Sequence, residues 1–170
     1  MIPQAVYLPT EDPEVFESTP LAAAGWYDDG QHGGVVAALL ARSIETAPTL
    51  VPMNVSRVTV ELFRVVPTVP LRLRSRVVRE GKRIQVVEAS MSDMDDLELA
   101  RAVGVKLRDA DLDLPPDVIP QPNIPPPPDS VATPDMSRWG VGIEGKMMFH
   151  RHGTEVREVV GTFDEPGPTT

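Results

Sequence analysis

Asp28-Asp29-Gly30-Gln31-His32-Gly33-Gly34 runs directly into Val35-Val36-Ala37-Ala38-Leu39-Leu40-Ala41-Arg42-Ser43-Ile44-Glu45. An acid pair, an amide, an imidazole and two glycines thus sit at the start of an apolar helix. Unpaired backbone N–H groups and the positive end of the helix dipole meet there, so the spot favours a carbonyl oxygen that gains negative charge. Residues 35–41 are apolar on every side, which predicts a helix buried all round. It begins near Gly34 and must stop by Pro48. The rest of the chain has to wrap it.

Residues 1–24 carry Pro3, Pro9, Pro13 and Pro20, which leave room only for short extended pieces around residues 5–8 and 16–19. Downstream of the helix β-branched residues take over. Residues 55–66 alternate, with Val58, Val60 and Leu62 on one side and Arg57, Thr59 and Glu61 on the other. Residues 71–78 set Leu71, Leu73 and Val77 against Arg72, Arg74 and Arg76. Glu80-Gly81-Lys82-Arg83 reads as a turn, residues 84–91 as the returning strand and residues 92–96 as a second turn. Residues 97–108 form the last long strand, with Leu99, Val103, Val105 and Leu107 on one face and the small Ala100, Ala102 and Gly104 on the other. One helix followed by four antiparallel strands in meander order predicts an α+β fold. The sheet needs an apolar object on one face and the helix needs a cover, so a curved antiparallel sheet wraps one long central helix, the hotdog arrangement.

Composition bounds the rest. The 170 residues are 41% hydrophobic and 24% charged, with a net charge of −9. That suits one core of ordinary size and not two full domains. No apolar run approaches the ~20 residues of a membrane span. Met1-Ile2-Pro3-Gln4-Ala5-Val6-Tyr7 lacks the pattern of a signal peptide, so a cytoplasmic location is expected. The acidic balance argues against nucleic acid as a partner. The absence of cysteine removes disulfides, thiolate zinc sites and cysteine nucleophiles together.

Nine of the 19 prolines fall between residues 114 and 134, four of them as Pro125-Pro126-Pro127-Pro128. Such a stretch suits a polyproline-like spacer. Beyond it, residues 145–150 and 155–163 are strand candidates with too little apolar content for a core of their own. The expected organisation is a hotdog over residues 1–113, a proline-rich linker over 114–136, and the start of an incomplete second hotdog over 137–170.

Several of these segments together resemble one family. Gly25-Trp26-Tyr27-Asp28-Asp29-Gly30-Gln31-His32-Gly33-Gly34-Val35-Val36-Ala37-Ala38-Leu39-Leu40-Ala41-Arg42 is similar to the start of the central helix in thioesterase-II-like acyl-CoA thioesterases. Arg57-Val58-Thr59-Val60-Glu61-Leu62-Phe63-Arg64-Val65-Val66-Pro67, Val77-Val78-Arg79-Glu80-Gly81-Lys82-Arg83 and Gln85-Val86-Val87-Glu88-Ala89-Ser90 follow in order. Glu155-Val156-Arg157-Glu158-Val159-Val160-Gly161 and Pro166-Gly167-Pro168 resemble the opening of that family's second hotdog. The resemblance spans residues 15–110 and, more thinly, 145–168. It implies a double hotdog that hydrolyses a fatty acyl-CoA thioester to free acid and CoA, with the better-supported catalytic carboxylate on the second hotdog's central helix. This sequence ends before that helix. The alternative is therefore a non-catalytic hotdog that binds acyl-CoA or serves as a pairing half. Homo-oligomerisation, or pairing with another hotdog, is expected either way, because one unit completes the helix tip and sheet edge of the other.

Thioester hydrolysis requires a carboxylate to activate water, donors for the oxyanion and an apolar slot. Asp29 is the candidate base, Asp28 the second choice, and Gln31 the amide that orients water. Substrate binding falls to His32, Gly33, Gly34 and Trp26, the glycines because a ligand can approach a main chain that lacks side chains. Each has a plainer explanation as well. Acids complement the dipole and capping uses the same residue types; His32 holds the loop; Trp26 and Tyr27 anchor the core. Glu45 reads as a second carboxylate or a solvated one. Arg72, Arg74 and Arg76 either meet CoA phosphates or form the wet face of a strand. His150 and His152 would share a strand face without a third ligand, and no metal or cofactor is expected. Asp93, Asp95 and Asp96 lack the pattern of a calcium loop and read as turn acids. No Gly-x-Ser-x-Gly motif is present for a serine hydrolase.

Overall fold

A computed structural model of the chain describes residues 3–111, 113, 115, 124–133 and 145–161. The early prolines permit two short strands, β1 (Tyr7–Pro9) and β2 (Val15–Ser18), before a 3₁₀ turn at Pro20–Ala22. The central helix α1 covers Gly33–Thr46. β3 (Met53–Leu62), β4 (Leu71–Arg79), β5 (Ile84–Ser92) and β6 (Glu98–Arg108) follow. All six strands join one antiparallel sheet in the order β1-β2-β4-β5-β6-β3. Among the described residues no helix is long and apolar enough to cross a membrane.

One face of the sheet receives α1. Leu71 and Leu73 of β4, Val87, Ala89 and Met91 of β5, and Ala100 and Ala102 of β6 are buried in one core with Val35, Val36, Leu39, Leu40 and Ile44 of α1. The fold is a hotdog, as expected, but the four strands after α1 are not in meander order: β3 crosses over to pair with β6 instead of β4, so only β4, β5 and β6 follow one another in the sheet. On β6 the small residues take the inner face, and Val103 and Leu107 stay exposed on the outer one. The reason is proximity: a Cβ on Gly104 would lie 2.3 Å from Ile44 Cγ2. Two polar side chains also belong to the inner face. Lys106, 2% exposed, donates from Nζ to the carbonyls of Glu45 and Ala47 at 2.9 and 2.8 Å, and Gln85 Nε2 donates to Pro48 O at 2.8 Å. They satisfy carbonyls that the end of α1 leaves open.

Three expectations are corrected. α1 is not buried all round: Ala38 is exposed and Ala37 and Ala41 are half-buried, because the sheet covers one side of the helix only. β3 begins at Met53, shifts register between Val55 and Arg57, and ends at Leu62, so residues 63–66 form a loop in which Val66 alone is buried. The strands expected at 145–150 and 155–163 do not form among the residues described there. Residues 146–148 carry no regular structure and Phe149–Gly153 makes a single π-helical turn. Its backbone is satisfied locally, since Met148 N–H donates to His152 Nδ1 at 3.0 Å and His152 N–H to Met148 O at 2.9 Å. Residues 162 and 163 lie outside the described residues, as do much of the linker over 114–136 and parts of the segment over 137–170.

The described part of that segment docks on the hotdog. Met148 is 1% exposed, Phe149 packs against the core, and Phe149 N–H donates to Ala23 O at 3.1 Å. Lys146 Nζ donates to the carbonyls of Tyr27 and Asp28.

Candidate functional site

The loop ahead of α1 is pinched at its base and splayed at its tip. Ala24 N–H donates to Gly30 O and His32 N–H to Ala22 O, both at 2.8 Å, while Gln31 N–H donates to Val66 O at 2.8 Å. Trp26, Tyr27, Asp28 and Asp29 are pushed out and exposed. Gly30 must lack a side chain, because a Cβ there would lie 2.7 Å from Val65 Cγ1 and 2.8 Å from Tyr27 Cβ.

His32 is the N-cap of α1, its Nδ1 accepting from Gly34 N–H at 3.0 Å. The bond leaves the ring hydrogen of the neutral imidazole on Nε2. It also occupies the Gly34 donor. Gly33 N–H, by contrast, has no acceptor among the described residues. The His32 ring lies 5.7 Å from Trp26, 5.3 Å from Phe149 and 6.1 Å from His150, centroid to centroid. Burial, and after it the neighbouring His150, holds the His32 pKa below the ordinary histidine value. The residues expected on a strand face at 150 and 152 are thus split: His150 stacks on Trp26, and His152 turns to its own backbone.

A cavity of about 460 Å³ opens between the tip of α1 and the loop after β3. Trp26, Tyr27, Gln31, Gly33 and Val36 line one wall, and residues 62–66 line the other. Gln31 is 5% exposed; its Nε2 donates to Pro67 O at 2.7 Å and its Oε1 accepts from Tyr7 Oη at 2.5 Å. Arg64, which contributes the one charged side chain to the described lining, donates from Nη1 to Glu98 O at 3.1 Å. Asp29 is exposed on the loop, its carbonyl accepting from Thr68 N–H at 3.0 Å, and it does not line this cavity. Asp28 lines a smaller one of about 320 Å³ with Lys146 and Thr68.

Of the remaining candidates, Glu45 is exposed at the far end of α1. The basic stripe on β4 is matched by acids: Arg72 and Arg74 meet Glu14 at 3.9 and 3.2 Å, Arg74 meets Asp96 at 3.2 Å, and Arg76 meets Glu88 at 3.0 Å. Asp93 closes a turn by accepting from Asp95 and Leu97 N–H at 3.0 and 2.9 Å. The site contains residues that the sequence reading does not include: Tyr7, which sits 24 positions before Gln31, and Phe63, Arg64, Val65 and Val66. Alternation alone placed the last group in a strand, and no local signal marks Tyr7.

Fold and site together define a hotdog domain of the thioesterase kind. The profile of the acyl-CoA thioesterase N-terminal domain family matches residues 22–106, half of the chain, and the protein belongs to that family. No curated protein matches the sequence. Among solved structures, a conserved hot dog fold protein of unknown function from Alicyclobacillus acidocaldarius is 18% identical, with a TM-score of 0.53 over 72% of this chain and 45% of its own. A Thermobifida fusca protein described as a candidate thioesterase II is 20% identical, with a TM-score of 0.52 over 71% and 43%. The PaaI protein of the Escherichia coli phenylacetic acid degradation operon is 18% identical, with a TM-score of 0.51 over 56% and 70%. At these identities the likeness is one of fold. The chain spans less than half the length of the first two.

Proposed function

We propose that the protein is an acyl-CoA thioesterase that hydrolyses a fatty acyl-CoA thioester to the free acid and CoA. The observation that carries this reading is the tip of α1, where the unpaired Gly33 N–H and the Gln31 amide share a wall of a largely apolar cavity. The acyl chain lies along Val36, Phe63 and Val65, with Trp26 and His32 flanking the ester. The carbonyl oxygen accepts from Gly33 N–H and Gln31 orients a water. Asp29, exposed on the same loop outside the described lining, is the carboxylate assigned to take the water's proton as its oxygen attacks the carbonyl carbon, which requires the Asp29 side chain to turn toward the cavity mouth. The tetrahedral oxyanion then collapses, the C–S bond breaks, and the proton passes to the sulfur of CoA. A net charge of −9 gives no long-range attraction for an anionic ester, so Arg64 at the cavity supplies the local cation.

Thiol release from acyl-CoAs of several chain lengths tests the proposal. Release is expected at one or more lengths and should fall on the order of a hundredfold or more in Asp29→Ala. No release at any length from the purified protein overturns it. One observation favours a second reading, a hotdog that binds acyl-CoA without turning it over: among the described residues lining the cavity none carries a carboxylate. Under that reading Asp29→Ala leaves any residual turnover unchanged while ester binding persists. In both readings a second hotdog, another copy or a partner half, pairs along β3. That strand ends the sheet, and Leu62, Phe63 and Val65 are exposed at its end.

A further inference from the structure

We infer that Tyr7, which lies on β1 outside the family-matched residues, is a positioning residue that fixes the orientation of the Gln31 amide; the inference rests on the thioesterase reading, in which that amide orients water. Gln31 is pinned at both ends. Pro67 O can only accept, so the nitrogen end of the amide must face it, and the oxygen end must face the Tyr7 hydroxyl. One hydrogen of Nε2 and one lone pair of Oε1 then remain for whatever occupies the cavity. The last torsion of a glutamine is broad and roughly two-fold. With the Pro67 contact alone the amide plane would swing about that single bond, and the remaining hydrogen would sweep across the cavity wall. The Tyr7 contact removes this freedom.

Tyr7 is itself held in place. It pairs with Ser18 in the sheet, Thr19 N–H donates to Val6 O at 2.9 Å, and its ring packs against the core. Burial pushes the phenol well above its ordinary pKa, so it stays a donor throughout the range in which a thioesterase is assayed. The hydroxyl itself does not enter the described cavity lining, so its effect passes through Gln31.

The test is Tyr7→Phe, which keeps the ring and deletes the donor. In thiol-release assays kcat is expected to fall on the order of tenfold to a hundredfold with KM little changed. In a Gln31→Ala background the same substitution should have no further effect, because both changes remove one device. A wild-type kcat in Tyr7→Phe, or losses that multiply in the double variant, overturns the inference. A second readout does not depend on turnover. The side-chain amide resonance of Gln31 in ¹⁵N-labelled protein should shift on addition of a non-hydrolysable thioether analogue of acyl-CoA, and the shift should be lost in Tyr7→Phe. If wild-type protein releases no thiol, the thioesterase reading fails, and the analogue titration decides the role of Tyr7. An undiminished shift in the variant overturns it.

Discussion

His32 performs one task that can be stated atom by atom: its Nδ1 accepts the Gly34 N–H at the head of α1. The bond requires an unprotonated nitrogen, and a proton on that ring would sit at the positive end of the helix dipole, next to His150. In the unfolded chain the imidazole titrates at its ordinary value of about 6.5; in the folded protein burial and His150 hold it lower. Between those two values the unfolded state binds more protons, so stability falls as pH drops through the window and levels off below it. His150 is the titratable neighbour that acts on the ring, whose other ring contacts are Trp26 and Phe149. His32→Asn retains a capping acceptor and removes the titration. Its melting temperature should therefore drop less than that of the wild type between pH 7 and pH 5; equal drops in the two proteins would refute the assignment. The sequence presents His32 as a substrate-binding or loop-holding residue; that it is the cap of α1 comes from the structure. So does the fate of Gly34 N–H. Residue types named it as a donor for substrate, and the geometry turned it back onto the neighbouring imidazole.

At the level of elements, α1 and β6 approach so closely that the strand must give up side chains. Ala100, Ala102 and Gly104 face the helix, and Gly104 receives Ile44 directly. Gly104→Ala drives a methyl into Ile44 Cγ2, and overpacking of this kind costs about 1–3 kcal/mol, to be read as a lower denaturation midpoint. Adding Ile44→Ala removes the colliding atom, so the double variant should be more stable than the sum of the two single losses; strict additivity would show that the contact is not as tight as described. The periodicity of β6 separated its two faces from residue 100 onward, but not Leu99, which is buried in the core beside Ala100 where the pairing with β5 shifts register, and it carried no information about which face met the helix. Apolarity by itself would have chosen the valine and leucine face. Distance chose the other. Lys106 follows the same logic: in the sequence it is an ordinary charged strand residue, and in the fold its ammonium reaches the last carbonyls of α1.

At the scale of the molecule, the sheet formed by the described residues ends at β3, with no further strand among them on that edge, beside the mouth of the cavity and its exposed Leu62, Phe63 and Val65. A free edge of ten residues invites another strand. Light scattering at micromolar concentration should give a mass near twice the 18.5 kDa chain, or an assembly with a partner hotdog where one is supplied; a monomer under both conditions contradicts the pairing proposal. The exposed Ala38 belongs at this scale as well. An apolar helix predicts burial on all sides, yet one sheet covers only the side it faces. Order and period were legible along the chain: a helix headed by Gln31-His32-Gly33-Gly34, four strands after it, turns at Glu80 and Asp93, and the class of fold they make. These follow from forces acting between near neighbours, namely backbone geometry, capping and the alternation of apolar residues. Long-range contact alone decided that Tyr7 meets Gln31, that Arg64 reaches the cavity while Asp29 stays outside its lining, and that Phe149 closes on His32. Such pairs lie tens of residues apart, and nothing in the local pattern of either partner encodes the distance that folding leaves between them.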